Sequence, residues 1–326
     1  MTIPQTHPLA ISIGDFGISP YLQELMSYVG QDDVFERGSE DIEKFLRISM
    51  NKKQIERVSK YYGQQIQALN IKEHESVLPE VEEEGEIVYA MMDGSMIYTR
   101  EEEWKEVKLG RIFKSKSLYS LSNNRNWIKD SVYVGHIGKH DAFLDKFEFF
   151  TDQYDDDLVF VCDGAPWIWN WIMANYPKSI QILDYYHALQ HLLFFAGLFF
   201  KEKKKKVEWV EKQKELLWQD KTEEVIKHIS ELNPRSKKAK EEQRKLINYY
   251  TKNKARMQYG SFKKRGLLVG SGPIESANRT VIQKRMKLSG QRWTMEGAQN
   301  ILDLRITHLN GNWDKIIQLV DGKLVA

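Results

Sequence analysis

The stretch VGSGPIESANRTVIQKRMKLSGQRW, Val269 to Trp293, orders the rest of the chain around it. Gly270-Ser271-Gly272 reads as a loop. Pro273 suits the first turn of a helix, where its missing N–H would have no partner anyway. Ser271 is placed to cap that helix, and Glu275 falls in its first turn, where the helix dipole favours negative charge. Arg279, Lys284, Arg285, Lys287 and Arg292 follow, with no acid between 276 and 293. One carboxylate backed by cations suits an acid that works beside phosphates. The same pattern also describes a capped surface helix with a basic face.

Upstream of this stretch, residues 185–261 are charged and helical in period, and read as an all-helical insertion. YYHALQHLLFFAGLFF forms one helix, 207–232 a second, and KKAKEEQRKLINYY opens a third beyond the Asn233-Pro234 break. The lysine run at 201–206 reads as a solvated stretch between helices. Downstream, 295–317 supplies closing helices.

Before the insertion the period changes. EIVYAMMDGSMIYT reads as a strand ending near Asp93, Trp104–Phe113 as a second strand, and Ser131–Gly138 as a third. A helix over 141–154, the buried strand DLVFVCDG, a helix over 165–176 and a strand ending at Asp184 complete the order. Three strands, then two helix–strand units, describe a mixed α/β sheet with helices on its faces. Residues 1–80 read as a helical N-terminal region. Its third helix starts near Asn51, with Ile55, Val58 and Tyr62 inward and Lys52, Lys53, Arg57 and Lys60 outward. Around the turn ISMN this is a candidate helix-turn-helix, although many helical hairpins look the same. VLPEVEEEGE, 77–86, reads as an acidic linker.

The composition sets bounds. A chain of 326 residues with 41% hydrophobic residues and nine Trp can bury a sizeable core. The net charge of +2 leaves affinity for nucleic acid to local patches. A single cysteine, Cys162, excludes an intrachain disulfide framework or a cysteine-based zinc site, and fits a reducing cytoplasm. Within its apolar strand it reads as a small core residue. MTIPQTHPLA shows no signal-peptide pattern. The apolar run 188–200 is too short to span a bilayer and reads as a buried helix.

Asp93 and Asp163 each end a strand and precede a glycine. Open sheets place their sites at such ends, and Glu275 can join them from its helix. Three carboxylates suit Mg²⁺ or Mn²⁺. Two such ions about 3.5–4 Å apart can drive in-line phosphoryl transfer. Taken singly, each Asp-Gly is also an ordinary turn signal. Asp184 and His187 can orient a metal ligand or a metal-bound water, or Asp184 can cap the helix that begins there. His191 follows His187 at zinc-ligand spacing, yet no further ligands stand nearby in sequence.

With these residues assembled, the chain resembles bacterial insertion-sequence transposases of the DDE type, in the mutator-like group with a helical insertion, and most closely the Kra-type insertion sequences. The resemblance rests on MMDGSMIYTREEEWKEVKLGRIF, on VCDGAPWIWNWI followed by DYYHALQHL, and on VGSGPIESANRTVIQKRMKLSGQRW. It implies a ribonuclease-H-like core over 86–184 and 262–312, interrupted by the 185–261 insertion. It implies Asp93, Asp163 and Glu275 as a catalytic, metal-holding triad, with Asp184 and His187 matching a further motif. The implied partners are double-stranded DNA, as terminal inverted repeats and target, and further copies of the chain in a synaptic assembly. The expected location is the bacterial cytoplasm, with no membrane contact. Arg279, Lys284, Arg285, Lys287 and Arg292 are expected on phosphates. Trp293 or Trp104 is a candidate for stacking on an unpaired base, with core packing the alternative for each. Lys52, Lys53 and Arg57 are expected on DNA from the N-terminal region. Relatives commonly carry a longer N-terminal region, sometimes with zinc-binding cysteines; here there are none. The rival readings are a nuclease on the same fold without strand transfer, a non-catalytic transposase-derived DNA-binding protein, and a glycosidase with Trp167, Trp169 and Trp171 about its acids.

Overall fold

Strand β1 (Val88–Thr99) lies at the centre of a five-stranded mixed sheet in the computed structural model, which describes residues 16–72, 86–122, 125–152, 154 and 158–324. The acidic linker read at 77–86 falls outside the described residues, save Glu86, as does the segment MTIPQTHPLA. The spatial order is β5 (Val132–Ile137), β2 (Glu103–Lys114), β1, β6 (Leu158–Cys162), β7 (Ile180–Leu183). β1 pairs antiparallel with β2, and β2 with β5; β6 runs parallel to both β1 and β7. This is the expected order of three strands followed by two helix–strand units. The hairpin β3 (Leu118–Ser122) and β4 (Arg125–Ile128) forms a second, two-stranded sheet that the sequence reading missed.

Alternation along the strands sends side chains to two cores. Tyr89, Met91, Val159, Val161 and Ile182 enter one; Val88, Ala90, Met92, Phe160 and Leu183 enter the other. The second core is roofed by α4 (His140–Thr151), α5 (Pro166–Asn175) and the helices of the insertion: α6 (Tyr185–Phe199), α7 (Lys203–Trp218), α8 (Thr222–Glu231), α9 (Lys237–Asn253) and α10 (Tyr259–Lys264). The stretch 207–232, read as one helix, is two. Asp220 takes the left-handed conformation between α7 and α8. Its carboxylate accepts the Gly260 amide at 2.8 Å. No described helix is long and apolar enough to cross a membrane.

The first core shows how the N-terminal region is used. α1 (Pro20–Asp32), α2 (Phe35–Leu46) and α3 (Lys52–Lys72) lie on the same face as α13 (Met295–Leu309) and α14 (Trp313–Val320). Ile55, Val58, Tyr62 and Ile66 of α3 are fully or almost fully buried, in one cluster with Ala298, Ile301 and Leu302 of α13. The two helices approach so closely at Gly63 that a Cβ there would strike the Asn300 carbonyl. Asn51 caps α3 as expected, accepting the Lys53 amide at 2.8 Å. The N-terminal helices therefore share the core of the sheet and do not form a body of their own.

Candidate active site

β1 does not end at Asp93. All twelve of its residues pair with β2, from Val88–Lys114 to Thr99–Glu103. Its pairing with β6 covers only Val88 to Ala90. β1 runs on past this neighbour, backed by β2 and β5 as far as Ser95 and by β2 alone from Met96, so Asp93-Gly94 lies inside the sheet where β1 has already parted from β6. The turn-like dipeptide was therefore a misleading sign of a strand end.

Register places the aspartates. Ala90 pairs with Phe160 and Cys162 with Leu183. Counting on, Asp93, Asp163 and Asp184 stand at one level on three neighbouring strand lines. By the two-residue alternation all three share a face with Met91, Val161 and Ile182. That face also carries α11 (Gly272–Ala277), the π-helical segment Asn278–Gln283 and α12 (Lys284–Met286).

Hydrogen bonds tie this helix to the acids. Ser271, expected as an N-cap, makes no side-chain cap. Its hydroxyl reaches Asp184 Oδ2 at 2.6 Å and Glu275 Oε1 at 3.1 Å. Asp184 also caps α6, accepting the Tyr186 amide at 2.9 Å, so the capping role and the site role coexist in one buried carboxylate. Asn278 donates its amide to Asp93 Oδ2 at 2.5 Å, and the Gly94 amide donates to Oδ1 at 2.7 Å. Asp163 accepts the Ala165 amide at 2.9 Å, and its carbonyl accepts Trp169 Nε1 at 2.7 Å. The Arg111 guanidinium bonds the Pro273 carbonyl at 2.8 Å and fixes the helix start to β2.

The cluster carries like charge in a half-buried cleft. Burial pushes the Asp93 carboxyl up to about 6; the Gly94 amide opposes this, the nearby Asp163 and Glu275 carboxylates add to it, and His187 opposes it. Both other acids and His187 thus lie within electrostatic reach of Asp93. Tyr249, from α9, overhangs the opposite wall. A Cβ on Gly164 would strike its ring, and its buried hydroxyl has no protein partner.

All-oxygen donors are the right chemistry for Mg²⁺ or Mn²⁺. However, among the described residues no group of three or more His, Cys, Asp or Glu side chains is gathered closely enough to hold a metal ion. As described, the acids are joined through Ser271 and Asn278 and are not drawn into a ready cage. The zinc spacing of His187 and His191 leads nowhere further: their rings lie 5.0 Å apart and His191 packs on Tyr249 at 4.7 Å.

Of the expected phosphate contacts, two are corrected. Arg285 is 1% exposed, with its guanidinium between the rings of Phe35 and Trp293 and Nε on the Gly30 carbonyl at 2.9 Å. Trp293 is 6% exposed, and its indole N–H bonds the Met286 carbonyl at 3.0 Å. Cation–π and backbone contacts take both into the core. Lys284 is exposed but paired with Asp32 at 2.8 Å. Arg279, Lys287 and Arg292 are exposed, with Lys287 Nζ 3.2 Å from Ser95 Oγ. On α3, Lys52 pairs with Glu36 at 2.9 Å, Arg57 covers Phe16, and Lys53 is exposed. The tryptophans of the glycosidase reading are packed: Trp169 lies under Arg256, Trp171 against Phe160, and Trp167 on His140.

Asn278, Ser271 and Tyr249 were not singled out for these roles from sequence. For Asn278 a usable signal existed: it lies one helical turn beyond Glu275 on the same side.

Sheet order and acid placement define an α/β protein with an acidic cleft above the ends of its parallel strands. The chain belongs to the uncharacterised protein family UPF0236, which it matches over residues 29–322. Comparison with curated proteins gave no match.

Proposed function

We propose that this chain is a DDE-type transposase of an insertion sequence, cutting DNA at the element's inverted repeats and joining the freed 3′ ends to target DNA. The observation that carries the reading is the common level of Asp93, Asp163 and Asp184, with Glu275 brought to them through Ser271. The strand order, with helices inserted between β7 and the acid-bearing helix, supports a ribonuclease-H-like core.

In this reading Asp93, Asp163 and Glu275 hold the cation. A bound divalent ion would activate the attacking oxygen and neutralise the leaving one. The chain's own groups do the positioning. Asn278 fixes the Asp93 carboxylate, Ser271 spans Asp184 and Glu275, and Arg279 stands one turn past Glu275, facing solvent, for a phosphate. Asp93, whose carboxyl is pushed up by burial and then by the neighbouring carboxylates, would be stabilised in its charged form by an arriving cation.

The test is cleavage and strand transfer on DNA bearing the repeats that flank the gene. Mg²⁺- or Mn²⁺-dependent products are expected, abolished by Asp163→Asn and by Glu275→Gln while DNA binding survives. Cutting without joined product would favour a nuclease. Undiminished activity in both variants would remove the assignment.

A further inference from the structure

The ribbon that carries β1 past the sheet ends in a cleft that the acidic site does not use. It has a volume of about 470 Å³, within the roughly 300–1,000 Å³ of small-ligand clefts. One wall is the outer face of the β1–β2 hairpin: Met96, Tyr98 and Trp104, with Tyr98 and Trp104 paired across the strands. The other wall is the loop leaving the acid-bearing helix, with Lys287, Leu288 and Arg292.

Three features mark this cleft. First, it exposes apolar surface from both walls: Trp104 is 60% exposed, Met96 41% and Leu288 36%. Trp104 and Tyr98 meet at right angles with centroids 5.5 Å apart, and Arg292 lies over the Tyr98 ring at 5.9 Å, so Trp104 is the more open ring of the two. Second, its rim is cationic. Among the described residues Lys287, Arg292 and the adjacent Arg100 make no ion pair; Arg100 instead bonds the Arg292 carbonyl. Acids of the hairpin are engaged elsewhere: Glu102 pairs with Lys105, Glu106 with Lys108, and Glu101 accepts the Met295 amide. Among the described residues Glu101 and Glu103, the latter at the left-handed corner, keep their charge without an ion pair. Third, the walls are stitched together. Trp293 bridges to Thr99, and the Arg100 amide bonds the Trp293 carbonyl at 2.8 Å.

An apolar slot with one aromatic platform, rimmed by unpaired cations, fits a nucleobase whose flanking phosphates lie on the rim. Met96 is three residues beyond Asp93 along one strand, so the side chain of Met96, like that of Tyr98, leaves the opposite face of β1 from Asp93. We propose that this cleft holds an unpaired nucleotide of single-stranded DNA, the base stacked on Trp104 and the phosphates on Lys287 and Arg292. This deepens the DNA-processing reading and rests on it, yet it can be measured without any cleavage.

The experiment is fluorescence anisotropy of the full chain with a labelled single-stranded oligothymidylate of about ten nucleotides, in chelator, beside a blunt duplex. Trp104→Ala should weaken single-strand binding about tenfold or more, and Trp104→Phe should keep most of it. Arg292→Ala should weaken it and flatten its salt dependence. Blunt-duplex affinity should hold in Trp104→Ala, and Trp127→Ala, on the distant β3–β4 hairpin, should bind as the parent does. Failure of the parent to bind the single strand, or equal binding by Trp104→Ala, overturns the proposal. Because no metal is present, loss of this binding is told apart from failure of the cleavage reading, in which the strand binds and no product forms.

Discussion

The Ser271 hydroxyl lies 2.6 Å from Asp184 Oδ2 and 3.1 Å from Glu275 Oε1. A single proton thus serves two carboxylates, one closing β7 and the other opening α11. Ser271→Ala leaves the buried Asp184 oxygen without this donor, at a cost of about 1–3 kcal/mol. The melting temperature should fall, and cleavage should fall further than the fold does, because Glu275 loses its tie. Thermal melts alongside cleavage rates check both; unchanged values in each would deny the bridge its role.

Asp93 makes stability fall as pH rises. Its folded carboxyl, pushed up to about 6, binds a proton more tightly than the unfolded one near 3.8. Its favourable contribution is therefore complete below about pH 4 and lost as pH climbs through about 6. The deficit at neutral pH is up to about 3 kcal/mol. Asp303, buried and also pushed up to about 6 by that burial, acts in the same window. Asp93→Asn should melt higher than the parent at pH 7.5 and converge with it near pH 4. A constant offset across that range would contradict the burden assigned to Asp93.

Cation binding should relieve the same repulsion. Millimolar Mg²⁺ or Mn²⁺ is expected to raise the melting temperature of the parent at pH 7.5 by a few degrees, about 1–3 kcal/mol by mass action. Asp163→Asn should lose most of the rise. An identical response in parent and variant would place the ions elsewhere.

Arg305 holds the π-helical turn of the acid-bearing helix. Its Nε bonds the Thr280 and Val281 carbonyls at 3.1 and 2.9 Å, Nη2 bonds Thr280 at 2.6 Å, and Nη1 bonds the Gln31 carbonyl at 2.9 Å. π-helical turns are rare and concentrate at functional positions, and this one begins at Asn278. Lys lacks the guanidinium fork. Arg305→Lys should leave carbonyls unsatisfied and cost about 2–4 kcal/mol, read as a lower urea midpoint. Retained stability with reduced cleavage would mean that the π-helical turn, and not the fold, depends on Arg305.

Gly63 tests whether the N-terminal helices belong to the core. A Cβ there meets the Asn300 backbone, which cannot rotate away. Gly63→Ala should cost about 1–3 kcal/mol through overpacking, whereas alanine at a surface helix glycine ordinarily stabilises. A higher melting temperature would show that α3 rides loosely on α13.

Much of this architecture was legible along the chain because it is local. The apolar run of β6, the inward stripe of α3 and the strand-ending aspartates Asp163 and Asp184 follow from period and position. What escaped depends on distant partners. Nothing near Asp93 reveals that β2 carries β1 onward to Thr99. Arg285 and Trp293 read as DNA contacts because burial of a guanidinium needs Phe35 and the Gly30 carbonyl, some 250 residues away. The π-helical turn keeps the composition of an α-helix, so no pattern announces it. The α3–α13 contact joins opposite ends of the molecule, and a short amphipathic helix looks the same whether its stripe meets its neighbours or a remote element.

The chain's lone sulfhydryl, Cys162, sits wholly out of solvent at the end of β6, its ionisation suppressed by burial. It packs in one cluster with Ile168, Ala188 and Tyr250 of α5, α6 and α9, so a thiol reagent reaches it only after that helical cover lifts. Alkylation rate is therefore a built-in clock for the opening of this helix-covered core, with no label to introduce and no competing site to subtract.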